Sequence, residues 1–147
     1  MFGLYNVSGR SRTSGSDIDL QLWLPGWAFG AATFVFKALG VSEYCLATYH
    51  FGGERVELFV LDANRPERKA LAALHNSKTQ QAWDEATFAA YTTEKESIAH
   101  LRGHARKAAK ARLAVKYGLD PVVYLQALSA QEAQVYGLSN VWAAALA

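Results

Sequence analysis

Cysteine occurs once in the 147 residues, at Cys45. A single thiol excludes an intrachain disulfide framework and a cysteine-based zinc site. Within an apolar run it reads as a buried structural thiol. Proline occurs three times, and each copy, Pro25, Pro66 and Pro121, falls where an element is expected to begin or end. Charge of one sign is scarce too. The net charge is only +2, so total charge selects no partner and only its distribution is informative. No run approaches the roughly 18 apolar residues of a membrane-spanning helix. The start Met1-Phe2-Gly3-Leu4 has no basic segment and no long apolar stretch after it, so a secretory signal is not expected. These absences predict a soluble, cytoplasmic protein with no membrane partner, in which the sequon Asn6-Val7-Ser8 has no role. What is present is a chain with 51% hydrophobic and 19% charged residues. That balance excludes a disordered chain and suffices for one domain with an ordinary core.

The first half reads as mixed and the second as helical. Leu4 to Val7 is a short strand. Ile18, Leu20, Leu22 and Leu24 alternate with Asp17, Asp19, Gln21 and Trp23, the period of a strand, and Pro25-Gly26 stops it. Residues 27–39 are small and apolar throughout and end at Gly40, which predicts a buried helix. Glu43 to Phe51 and Glu54 to Leu61 flank Gly52-Gly53, a hairpin signal. A two-residue turn there sets Glu57 opposite Thr48. Glu57 would then be a carboxylate on an otherwise apolar strand, costly to bury without a partner. Asn64 with Glu67, Thr93 with Glu96 and Ser129 with Glu132 have the spacing of capping boxes. They predict a helix after Asn64, a long one from Thr93 to near Gly118 and a last one reaching Leu146. Thr79 is read as the start of a further helix through Tyr91, and Asp120-Pro121 as the start of a short one. The expected class is α+β: a small mixed sheet with a flanking helix over 1–63, then a helical subdomain over 64–147, within one structural domain.

The densest chemical signal is Asp17-Ile18-Asp19. Alternate strand residues share a face, so the two carboxylates would stand side by side. Close carboxylates repel unless one is protonated or a cation joins them. Oxygen pairs of this kind suit Mg²⁺, which is often held by one or two carboxylates plus substrate phosphates. The preceding loop offers Arg10, Arg12, Ser11, Thr13, Ser14 and Ser16, with Gly9 and Gly15 to let backbone N–H groups approach an anion. A calcium loop is excluded because the Asp/Asn-Gly continuation and the closing Glu are missing.

The order of these pieces resembles the polymerase beta-like nucleotidyltransferase superfamily, of the minimal nucleotidyltransferase type. The matching segments are Ser8-Gly9-Arg10-Ser11-Arg12, Ser16-Asp17-Ile18-Asp19-Leu20 and Arg55-Val56-Glu57-Leu58-Phe59-Val60, within roughly residues 4–62. The resemblance implies transfer of a nucleoside monophosphate from a nucleoside triphosphate to a hydroxyl of a protein, nucleic acid or small molecule. It implies Mg²⁺ or Mn²⁺ held by Asp17, Asp19 and Glu57, with Glu57 also taking the acceptor proton. Ser8, Gly9, Ser11 and Ser16 would meet phosphates, and Arg10 or Arg12 would offset the leaving pyrophosphate. The chain departs from the family in reading Ser8-Gly9 and Gly9-Arg10-Ser11 for the usual Gly-Ser, in a shorter loop, and in Glu for the more usual Asp at the third acid. The helix that commonly precedes the first strand is missing, so the C-terminal helices, a partner or a second copy would cover that surface. The alternative within the same fold is a binding module with little catalysis: nucleic-acid-associated, antitoxin-like or part of an assembly.

Other signals are weaker. Arg102, Arg106 and Lys110 recur every four residues and predict one basic stripe on a helix, able to meet nucleic acid or a nucleotide tail. Lys107, Arg112 and Lys116 broaden it, while Ile98, Leu101, Ala105, Ala108 and Val115 are expected toward the core. His100 and His104 stand one turn apart without the acidic residues of a metalloprotease helix. Trp23 shares a strand face with the two aspartates, so it either fills the core or stacks on a base.

Overall fold

The computed structural model describes residues 2–7, 17–39 and 47–146, with the side chains of 47–51 left aside. Ser8, Gly9, Arg10, Ser11, Arg12, Ser16 and Cys45 lie outside the described residues. The fold is α+β, with a small mixed sheet followed by helices. The chain divides into two compact units, Met1–Ala70 and Leu71–Ala147. No helix among the described residues is long and apolar enough to cross a membrane.

The first unit holds strands β1 (Gly3–Asn6) and β2 (Ile18–Leu24), helix α1 (Gly26–Ala38), and strands β3 (Ala47–Phe51) and β4 (Glu54–Asp62). The four strands lie in the order β1-β2-β4-β3. β2 runs parallel to β4, and both outer strands are antiparallel to their neighbours. Gly52 and Gly53 close the β3–β4 hairpin with φ of +53° and +83°. A two-residue turn of this hand needs positive φ at both positions, which glycine takes without steric cost. The turn sets Thr48 opposite Glu57, as its length predicts.

The β2–β4 register pairs Asp19 with Glu57, Gln21 with Phe59 and Trp23 with Leu61. Paired residues of adjacent strands share a face, so one face runs from charged to apolar along the strands. Its apolar end is a buried cluster of Trp23, Leu61 and Ala70, with Tyr5 and Ala63 against it. Ala70 belongs to α2 (Arg68–Ala82), which starts in the first unit and continues into the second.

Helix α1 is where the sequence expected a buried helix, and none of its residues is buried. Trp27 and Phe34 are 80% and 77% exposed. Apolar composition on every side requires cover on every side, and the sheet touches only part of α1.

The second unit contains the rest of α2, then α3 (Glu85–Ser97), α4 (Gly103–Lys116), α5 (Val122–Leu125), α6 (Ala130–Val135) and α7 (Ser139–Leu146). Ala72, Ala108, Ala111, Val122, Leu125, Leu128, Ala133, Leu138 and Ala145 form its main core. Small alanines let short helices approach closely, and Val122 and Leu125 fill the centre. A second cluster joins Tyr91, Leu113, Ala114 and Leu119. Beside it the rings of Trp83, Tyr91 and Tyr117 lie 5.0–5.8 Å apart, centre to centre, at steep angles, the arrangement that ring quadrupoles favour.

Several helix limits differ from the sequence pattern. Asn64 lies in a turn before α2, where its N–H donates to Asp62 Oδ1. Thr79 and Thr93 sit inside helices and donate their hydroxyls back to the carbonyls of His75 and Ala89. Threonine at such positions bonds the preceding turn instead of capping. The true cap is Asp84, which accepts from the Thr87 N–H. The single helix expected from Thr93 breaks after Ser97, and α4 starts at Gly103 with φ of +58°. Gly137, at φ +70°, likewise divides α6 from α7. Ser129 and Glu132 do form the expected capping box.

Candidate active site

Asp17 stands immediately before β2, and Asp19 is the second residue of that strand. The parallel register sets Asp19 level with Glu57 on the same face of the sheet. The Asp19 carboxyl is pushed up to about 6. Burial is the main cause, followed by the Glu57 charge and its hydrogen bond, then the Asp17 charge, with Arg55 opposing them. Asp19 therefore keeps its proton to a higher pH than an isolated aspartate, which releases it near pH 4.

Arg55 is the residue that sequence reasoning left without a role. It lies two positions before Glu57 on β4, on the same face. Its Nη2 donates to Glu57 Oε1 at 2.9 Å, and its Nε lies 3.6 Å from Asp17 Oδ1. The partner that a carboxylate on this strand requires is therefore a guanidinium from its own strand. The period-2 spacing of Arg55 and Glu57 was the signal that could have found it.

The stripe continues into the core. Trp23 is 1% exposed and its Nε1 donates to Gln21 Oε1 at 3.0 Å. Gln21 Nε2 in turn donates to the Ala70 carbonyl at 3.1 Å. Trp23 is thus a core residue and offers no ring to a base. The buried amide satisfies the indole N–H and anchors the first turns of α2 to β2.

Among the described residues, no three His, Cys, Asp or Glu side chains converge as a ready metal cage. Asp19 and Glu57 stand level in the strand register, and the Arg55 guanidinium links Asp17 with Glu57. The side chains gathered here are carboxylates, the donor type that hard divalent cations take. Two of these carboxylates, Asp17 and Glu57, already share a cation, the Arg55 guanidinium. Mg²⁺ commonly takes only one or two carboxylates and completes its shell with phosphate and water. None of the expected phosphate-binding residues Ser8, Gly9, Arg10, Ser11, Arg12 and Ser16 is among those described.

The expected basic stripe is not continuous. Arg102 precedes α4, and its Nη1 donates to the carbonyls of Ala99 and Leu101 at 2.9 and 3.0 Å. Arg102 is the N-cap residue of α4 with extended backbone and its guanidinium is taken by those carbonyls, whereas Arg106 and Lys110 stand within the helix. Ala108 is fully buried as expected, but Val115 faces solvent. His104 Nδ1 lies 2.6 Å from Glu132 Oε1, a tie between α4 and α6. Glu94 on α3 takes both the Lys116 ammonium and the Tyr117 hydroxyl, and these hold its carboxyl below its ordinary range. These two contacts join helices within the second unit and were not legible from sequence spacing. Comparison with protein-family models, curated proteins and solved structures returned no match to the chain.

Proposed function

We propose that the chain is a metal-dependent nucleotidyltransferase of the polymerase beta-like type, transferring a nucleoside monophosphate from a nucleoside triphosphate to an acceptor hydroxyl. The observation that carries this reading is the Asp19–Glu57 pair, level on adjacent parallel strands with Asp17 just before it. Bound Mg²⁺ or Mn²⁺ would neutralise the triphosphate and polarise the reacting oxygens. Asp17, Asp19 and Glu57 would hold it, and Glu57 would accept the proton of the attacking hydroxyl. Arg55 balances the carboxylates before loading and is free to turn toward an incoming phosphate. Ser8, Gly9, Arg10, Ser11, Arg12 and Ser16 supply donors to the triphosphate. Phosphoryl-type transfer asks mainly for positioning and charge neutralisation, and these residue types provide both. A cytoplasmic site of action, where triphosphates are abundant, goes with this reading. The exposed Trp27 and Phe34 of α1 support cover by an acceptor protein, another partner or a second copy.

Incubation with each of the four labelled ribonucleoside triphosphates and Mg²⁺ or Mn²⁺ tests the reading. The expected result is release of pyrophosphate and a labelled acceptor, lost in Asp17→Asn and Asp19→Asn with the fold intact. No turnover and no nucleotide binding with any of the four would overturn it. One observation favours the binding-module alternative: Arg55 already neutralises Asp17 and Glu57 as a structural ion pair would. Under that reading the aspartate substitutions leave partner binding unchanged.

A further inference from the structure

Helix α1 leaves one of its sides uncovered. Phe29, Ala32 and Phe36 are half-buried, whereas Trp27, Gly30, Ala31, Phe34, Val35 and Ala38 are exposed. Steps of three and four residues put the exposed group on one side of the helix. An exposed helix side is normally polar. This one carries a single charge, Lys37 in the last turn, and the helix has no acidic residue. Its other polar side chain, Thr33, donates its hydroxyl to the Gly30 carbonyl within the helix. Two rings as exposed as Trp27 and Phe34 on one apolar side mark a contact surface.

The order of sizes along that side fits a copy of itself. It runs large, small, small, large: Trp27, Gly30, Ala31, Phe34. The pattern is symmetric about the midpoint between Gly30 and Ala31. Two copies crossing antiparallel at that midpoint set Trp27 of each against Phe34 of the other, as a two-fold axis requires. The small residues meet at the axis and let the backbones approach. A Cβ on Gly30 would have nothing within 4 Å, so the space is open.

The charges obey the same symmetry. Lys37 is exposed near the C-terminal end of α1. At the N-terminal end stands Asp62, whose Oδ1 lies 3.7 Å from where a Cβ on Gly26 would be. Asp62 is the register partner of Leu24, and positions 24 and 37 are equally far from the midpoint. Antiparallel crossing therefore brings Lys37 of each copy to the end that holds Asp62 of the other. Parallel crossing would set lysine beside lysine. Complementary charges fix the register of such a contact.

The area is sufficient. Aromatic side chains cover roughly 150–250 Å² each, so with Val35, the alanines and the Lys37 stem this side removes about 500 Å² per copy. A pair then removes about 1,000 Å², the lower bound of a specific interface. A contact of that size is reversible and depends on concentration.

We infer that α1 is a self-association surface on which two copies of this chain pair antiparallel through Trp27, Gly30, Ala31 and Phe34, with Lys37 of each facing Asp62 of the other. No residue of the acidic site takes part, so the inference stands apart from the transferase reading.

Sedimentation equilibrium of the full chain over a wide range of micromolar concentrations tests it. The expected result is a reversible monomer–dimer equilibrium. Gly30→Gln places a long polar side chain on the axis, in space that is open in the single chain, and should weaken the dimer about tenfold or more. Lys37→Glu should weaken it about tenfold, because it sets like charges together twice in each pair. An equimolar mixture of Lys37→Glu and Asp62→Lys chains should restore the dimer, since each mixed pair again holds two opposed charges. Circular dichroism of each variant separates lost association from lost folding. Asp62→Lys also removes the acceptor of the Asn64 N–H; should that chain unfold, Gly30→Gln decides. A chain that is monomeric at every concentration overturns the inference and leaves the surface to a different protein. A dimer unmoved by Gly30→Gln, or a folded mixture that associates no more tightly than either single variant, overturns it as well.

Discussion

Asp19 and Glu57, thirty-eight positions apart in the chain, stand level on one face across the parallel β2–β4 pair. Burial and the neighbouring carboxylates push Asp19 up to about 6, against the pull of Arg55. Charge crowding at this point is unfavourable for folding near neutral pH and favourable for a cation. The first three predictions rest on that opposition.

Asp19→Asn should stabilise the protein at pH 7. The native carboxyl binds its proton more tightly than the unfolded one, so the stabilisation it supplies is fully present below about pH 4. It is lost as pH rises through about 6. The asparagine variant should flatten that part of the stability profile and gain about 1 kcal/mol at pH 7, solvent screening holding the gain well below the full shift. Urea denaturation of both proteins from pH 4 to 8 measures it. A variant less stable than the parent at pH 7 would refute the crowding.

Mn²⁺ should raise the thermal midpoint of the wild-type chain. A ligand that binds only the native state at about 100 times its dissociation constant adds roughly 2.7 kcal/mol. Glu57→Gln should abolish the increment while the metal-free midpoint holds or rises. Differential scanning calorimetry with and without Mn²⁺ distinguishes the cases.

Arg55→Gln should tighten divalent-cation binding several-fold. The guanidinium competes for Glu57 and Asp17, and a partly exposed charge contributes at most about 1 kcal/mol to such a balance. Mn²⁺ titration followed by electron paramagnetic resonance reads the change directly. Unaltered affinity would mean that Arg55 and the ion do not share a place.

Two stability predictions concern the helical unit. Ser129→Ala removes the side-chain acceptor of the α6 capping box and should cost about 1 kcal/mol. Leu125→Ala opens a cavity at a position with no solvent exposure and should cost about 3 kcal/mol. Chemical denaturation followed by circular dichroism should rank the two in that order.

The candidate site was legible where its geometry is local. Alternation from Asp17 to Leu24 marked β2, and Gly52-Gly53 marked the turn that sets Glu57 opposite Thr48. Arg55 was missed because an arginine on a strand end normally faces water, and only the approach of β2 brings Asp17 to it. Trp23 was ambiguous for the same reason: its face was readable, but the cover provided by Ala70 was not. Errors in the helical half have a common origin. Thr79 and Thr93 look like caps because threonine bonds its own backbone both at helix starts and within helices. The breaks at Gly103 and Gly137 are single positive-φ residues inside otherwise helical composition.

Residue order along the chain determined the strands, the hairpin, the Ser129 cap and the pairing of two aspartates on one face, because each follows from backbone period or from bonds within a few residues. Tertiary structure decided which strand lies beside β2, that Glu57 stands level with Asp19, and that Arg55 links Asp17 with Glu57. Those outcomes depend on apolar surface and charge brought together from distant segments. Burial sets both, and no local spacing encodes it.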